Sequence, residues 1–150
     1  MIVYRIGKTK WKDDLTGDGA KKFGGRWNHI GVACIYSSAS RALAVLEYSS
    51  HTPLEIIPRG LCFTLYEIPE RKIYVCKEAD LPGDWRNPTH TKACKDFGTK
   101  MLKDNLVIQL PSVTLPYEHN YILNPSHPDF SRHISIHSTE DYAYDLRIKR

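Results

Sequence analysis

The chain has 150 residues, 41% of them hydrophobic and 25% charged, with a formal net charge of +4. That length and composition suit one globular domain, residues 1–150, with a single substantial core. No run of 18 apolar residues occurs, which excludes a membrane-spanning helix. The mild positive charge allows an anionic ligand or a nucleic-acid partner without requiring either.

The first residues, MIVYRIGKTKWKDD, carry no apolar stretch of signal-peptide length, so a cytoplasmic protein is expected. Cys34, Cys62, Cys76 and Cys94 form no CxxC pair and are expected as reduced, buried thiols. Residues 2–6 read as a strand. Residues 7–24, polar and Gly-rich, read as one long loop. Residues 33–37 read as a second strand, followed by a helix over SSASRALAVLEYSSH with Ser38 or Ser40 as N-cap. Ala39, Leu43, Leu46 and Ser50 share a face of that helix, and Glu47 lies at its border.

Pro53 ends the helical region. Residues 61–68 alternate with Leu61, Phe63 and Leu65 on one side, as a strand does, and 73–76 form another. LPGDWRNPTH (81–90) is turn-rich. Residues 91–103 predict a second helix that buries Ala93, Cys94, Phe97, Met101 and Leu102. A strand over 106–110 breaks at Pro111-Ser112. Residues 120–123, 133–136 and 142–148 are strand-like, and Arg147-Ile148-Lys149-Arg150 reads as a solvated basic tail. The sum is an α+β domain, mostly sheet, with two main helices.

Seven histidines include no HExxH pair and no zinc-type His/Cys grouping, so no metal site is expected. GxGxxG and Walker A motifs are absent, yet Lys21, Lys22 and Arg26 beside Gly24 and Gly25 suit a pyrophosphate. There is no GxSxG elbow, and Ser112 reads as a turn serine. Arg5, Arg26, Tyr36, Glu47 and Ser112 suit a ligand that is part phosphate and part ribose. Guanidinium groups clamp phosphate, and a carboxylate accepts from ribose hydroxyls. The plainer alternative is an Arg5–Glu47 ion pair with Tyr36 in the core. The residues alone leave both open.

In order along the chain stand Tyr4-Arg5, GDGAKKFGGRWN, GVACIYSSASRALAVLE, LPGDW, LPSVTLPYEHNYILNPSHPDF and YDLRI. This series resembles the RES-domain family of bacterial toxins. The resemblance implies a split, mostly antiparallel sheet like that of ADP-ribosyltransferases of the diphtheria-toxin type, with a cleft for NAD. It implies an enzyme that breaks the nicotinamide–ribose bond, so that NAD is a substrate, with inorganic phosphate or water as acceptor. Transfer of ADP-ribose to a cellular protein is the alternative.

The implied partner is an Xre-type antitoxin with a DNA-binding helix-turn-helix, which blocks the cleft and provides the only link to DNA. By the same resemblance, Arg5 and Arg26 match the NAD phosphate and ribose contacts and Tyr36 the nicotinamide platform. Glu47 matches the ribose-stabilising acid and Ser112 its geometric support. A basic ribonuclease is disfavoured by the scattered histidines, and a non-catalytic binding module would bind NAD without turnover.

Overall fold

The computed structural model describes residues 1–149. Its strands are β1 (Ile2–Lys8), β2 (Ile35–Ser38), β3 (Leu61–Glu67), β4 (Ile73–Val75), β5 (Val107–Pro111), β6 (His119–Leu123) and β7 (Ser135–Tyr142). They form one sheet in the order β4-β5-β6-β2-β1-β3-β7. Only β4 and β5 run parallel. The ladder is thin at one seam: β1 meets β2 at a single paired position, Tyr4 with Ser38. By contrast β1 pairs with β3 along its whole length. The expected split, mostly antiparallel sheet is therefore present, and the split falls between β1 and β2.

Four helices accompany the sheet: α1 (Asp18–Phe23), α2 (Arg41–Ser50), α3 (Lys92–Met101) and α4 (Phe130–His133). The two long ones, α2 and α3, have hydroxyl caps. Ser40 Oγ accepts from the Leu43 amide and Thr91 Oγ1 from the Cys94 amide, each satisfying a donor that has no partner inside its helix. No helix among the described residues is long and apolar enough to cross a membrane.

The sheet is covered on both faces. Adjacent residues of one strand enter different clusters because side chains alternate. Ile35, Val107 and Leu123 pack with Val3, Tyr66, Phe130 and Ile134. Their neighbours Tyr36, Ile108 and Ile122 pack with Trp27, Cys34, Trp85 and Cys94. A third cluster joins Ile6, Phe63 and Leu65 to Ala44 of α2. Two-sided coverage explains why β3 is buried at every position from Leu61 to Tyr66, although its sequence alternates. All four cysteines are free and buried, and burial pushes the Cys34 thiol up to about 12.

Several sequence expectations are corrected. Residues 7–24 are not one loop: β1 continues to Lys8, a 3-10 turn spans Thr9–Trp11, and α1 follows. Propensity conceals α1, since DGAKKF contains glycine and is preceded by Gly17 at φ 67°. A Cβ on Gly17 would fall 2.7 Å from the Cys34 carbonyl oxygen, so tertiary packing sets this helix. His133 ends α4, so the strand expected over 133–136 starts at Ser135 instead, and 142–148 is not a strand: β7 ends at Tyr142 and Leu146–Lys149 is a 3-10 turn. The tail is tied down as well. Arg147 pairs with Asp145 at 2.6 Å, and Lys149 donates to the carbonyls of Thr52 and Ile56; Arg150 lies outside the described residues. Ala93 and Ser50 are exposed. On α3, Gly98 takes the inward position instead, because a Cβ there would overlap the Trp27 carbonyl.

Candidate active site

Leu43 and Ala44 are buried and fix the rotation of α2 about its axis. Glu47, one turn on from both, is half-buried at the border of that stripe and points at the β5–β6 connection. The connection leaves the sheet at Pro111 and is closed where the Ser112 amide donates to Glu118 O at 2.8 Å. Three neutral donors converge on the Glu47 carboxylate. Ser112 Oγ donates to Oε1 at 2.7 Å, Asn120 Nδ2 to Oε1 at 2.6 Å, and Thr114 Oγ1 to Oε2 at 3.0 Å.

The direction of these bonds is fixed by what lies behind them. Ser112 Oγ already accepts from the amides of Thr114 and Leu115, so its single proton goes to Glu47. Asn120 Oδ1 accepts from Ser38 Oγ at 2.7 Å, which turns the amide nitrogen toward Glu47. No cation pairs with Glu47 among the described residues. A carboxylate saturated by neutral donors stays an acceptor, and keeps its negative charge for whatever enters beside it.

The GGRWN turn is built for a different purpose. Asn28, fully buried, donates to the carbonyls of Ala20, His29 and Val32. The Tyr36 hydroxyl donates to Asn28 Oδ1 at 2.7 Å and accepts from the Trp27 amide at 3.0 Å. A Cβ on Gly25 would sit 2.7 Å from that hydroxyl, hence the glycine. Burial, and then the Cys34 thiol, push the Tyr36 phenol well above its ordinary value. Its hydroxyl is engaged as both donor and acceptor, and the residue as a whole is only partly buried. Arg26 donates to the carbonyls of Trp85, Asn87 and Pro88 at 3.0, 2.7 and 3.4 Å. The GGRWN and LPGDW motifs thus meet through this guanidinium.

Arg5 stands apart. Its Nη1 lies 3.3 Å from Asp14 Oδ2, and the Tyr66 hydroxyl donates to Asp14 O. Burial raises the Asp14 carboxyl, but the Thr16 hydroxyl and amide, Arg5 and the Gly17 amide outweigh it and hold the group below its ordinary value. Alternation puts Arg5 on the Val3 side of β1. Its neighbour Tyr4 lies on the α2 side, under the Arg41 guanidinium at 4.6 Å.

The five expected residues therefore form three groups: Glu47 with Ser112, Arg26 with Tyr36, and Arg5 with Asp14. The Arg5–Glu47 ion pair weighed from the sequence is not formed. Thr114, Asn120 and Ser38 were missed; the first two lay inside the quoted LPSVTLPYEHNYILNPSHPDF, where the Pro-Ser break drew attention to Ser112 alone. Among the described residues no three His, Cys, Asp or Glu side chains gather as a metal would need. Two concavities, about 350 Å³ beside Glu67 and His133 and about 410 Å³ beside Ile57 and Tyr144, do not include these residues.

With this geometry in view, likenesses to known proteins can be placed. The model of a family described as the RES domain matches residues 2–145. A protein of Photorhabdus laumondii named "Toxin Res" is 32% identical, covering 99% of this chain and 97% of the relative. A "Toxin Res" of Yersinia enterocolitica is 34% identical, over 99% and 100%. The "Prs ADP-ribosylating toxin" of a Sphingobium species is 34% identical, over 95% and 91%. Among solved structures, a chain of the M. tuberculosis MbcT–MbcA toxin–antitoxin complex superposes with a TM-score of 0.70. The match covers 99% of this chain and 86% of that one at 16% identity, and so speaks to the fold.

Proposed function

The chain belongs to the RES-domain family, and from that premise we propose that it is the toxin of a toxin–antitoxin pair. It depletes NAD by cleaving the nicotinamide–ribose bond, with phosphate or water as acceptor. It acts in the cytoplasm, and its partner is an Xre-type antitoxin that covers the site and carries the contact with DNA. The names of the relatives support the toxin reading. The observation that carries the chemistry is the Glu47 carboxylate, half-exposed and held by three neutral donors.

Loss of nicotinamide from NAD moves positive charge from the pyridinium onto the ribose. A fixed carboxylate beside the ribose attracts the developing cation more strongly than the ground state, which lowers the barrier. Ser112, Thr114 and Asn120 hold that carboxylate so that no reorganisation is needed as charge develops. Arg5, 25% exposed at its side chain and 3.3 Å from Asp14, is assigned to the substrate phosphates. Tyr36 offers its ring face to nicotinamide, and Arg26 shapes the 85–88 wall of the cleft while contributing positive charge.

A second reading, ADP-ribose transfer to a cellular protein, is favoured by the name of the Sphingobium relative. Purified chain incubated with NAD, with and without phosphate, then with lysate and labelled NAD, separates the two. Small phosphorylated or hydrolysed ADP-ribose products support NAD depletion. A labelled protein with intact free NAD supports transfer, and unchanged NAD with no labelled protein would refute both.

A further inference from the structure

The turn Leu115-Pro116-Tyr117-Glu118 lies in the β5–β6 connection, and its Glu118 amide donates to the Leu115 carbonyl at 3.3 Å. Proline at the second position and φ 69° at Tyr117, the third, make it a type II turn. That third position calls for glycine, because a Cβ at positive φ crowds the following carbonyl. The other positive φ values among the described residues all belong to glycines: Gly17, Gly24, Gly31 and Gly60. Tyr117 is held there against its own preference.

No contact within the chain offsets that strain. Tyr117 is 99% exposed, so its ring gains no burial. Leu115 and Pro116 beside it are exposed too, and the turn presents three apolar residues in a row to solvent. Strain kept without an internal gain points to a contact outside the chain. The turn is also tied to the acid. The Ser112 amide donates to the Glu118 carbonyl, and Ser112 Oγ accepts from the amides of Thr114 and Leu115. Ser112 and Thr114 in turn donate to Glu47. Three residues of chain reach at most about 11 Å, so Tyr117 stands within that distance of Thr114.

We propose that Tyr117, flanked by Leu115 and Pro116, is the anchor by which a protein partner docks at the mouth of the Glu47 site, its ring entering an apolar pocket on that partner. A small ligand is enclosed by the walls of its pocket, and a ring open on every side is no wall. A protein surface can enclose such a ring. Buried aromatic anchors dominate protein interfaces, and a turn already fixed by its own hydrogen bonds loses little freedom on docking. That the partner is the antitoxin rests on the function proposed above.

The test measures antitoxin binding by calorimetry, with the whole chain and with Tyr117→Gly, Tyr117→Asn and Tyr117→Phe, and follows NAD loss by each free chain. Glycine and asparagine accept positive φ, so those two variants are expected to melt no lower than the parent chain. Both are expected to bind antitoxin roughly 30-fold more weakly or worse, the scale of a buried aromatic anchor. Tyr117→Phe keeps the ring and should stay within about 5-fold of the parent chain. NAD loss by the free chains is expected to be unchanged. If the parent chain takes up no antitoxin, the antitoxin reading fails and this proposal with it. If the parent chain binds and the Gly and Asn variants bind as tightly, this proposal alone is overturned. It is overturned as well if NAD loss falls while antitoxin affinity holds, because the ring then serves the substrate.

Discussion

Asn120→Asp keeps the shape of the side chain and turns a donor into an acceptor. Asn120 Nδ2 lies 2.6 Å from Glu47 Oε1. Two unit charges at that separation repel by about 6 kcal/mol at an effective dielectric constant near 20. At 1.36 kcal/mol per pKa unit this is on the order of four units, so the carboxyl pair holds one shared proton at pH 7. Asn120→Ala adds no charge; it removes the donor to Glu47, roughly 1.5–3 kcal/mol of support for the acid, together with the acceptor of Ser38 Oγ. Two readouts follow the change: carboxyl carbon NMR of Glu47 against pH, and the pH profile of NAD loss. The Asp variant is expected to be nearly inactive at neutral pH and to recover toward alkaline pH, with the Glu47 signal titrating several units above its position in the parent chain. The Ala variant is expected to lose rate with a far smaller displacement. An Asp variant whose Glu47 signal and pH profile both match the parent chain would refute the cradle as a device for keeping Glu47 ionised.

The architecture makes three further demands. Gly98→Ala forces a methyl group into the Trp27 carbonyl, so denaturant unfolding should show a loss of about 2 kcal/mol or more; an unchanged midpoint would mean α3 and the GGRWN turn do not pack as described. Tyr36→Phe leaves the Trp27 amide and Asn28 Oδ1 without their partner, at a cost of about 1–3 kcal/mol by the same assay. Asp14 has a folded-state value below its ordinary 3.8. Its ionisation therefore adds stability that is complete above 3.8 and is lost as the pH falls through the lower folded value. Asp14→Asn should be less stable than the parent chain near neutrality, and the gap should narrow under stronger acid; a gap independent of pH would contradict the lowered value.

Local patterns carried much of the fold into view. Ser40 and Thr91 announce α2 and α3, because a capping hydroxyl acts within three residues of itself. The 3.6-residue period places Glu47 at the edge of its helix. The same logic fails for α1, where Gly17 is dictated by the backbone of Cys34 rather than by its own neighbours. It fails again at Gly98, whose role depends on Trp27, and for the tail, where a pattern of apolar residues suggested a strand.

The site was harder to assemble because its contacts span 65, 67 and 73 residues of sequence. Glu47 and Ser112 were named individually, yet nothing local says that Ser112 has no acceptor for its proton except Glu47. Thr114 and Asn120 are ordinary residues for a turn and a strand, and become informative only when their side-chain bonds are traced. Arg26 shows the converse: its sequence context suggests a free phosphate clamp, whereas its guanidinium is engaged by three carbonyls of the 85–88 stretch.

The most direct measurement is the rate of NAD loss with purified Glu47→Gln beside the parent chain, both verified as folded by circular dichroism. The substitution keeps size and hydrogen-bonding capacity while removing the charge. If the carboxylate stabilises the ribose cation, the rate falls roughly 100- to 1000-fold, or about 2.7–4 kcal/mol of barrier. A folded Glu47→Gln protein that consumes NAD as fast as the parent chain would contradict that role.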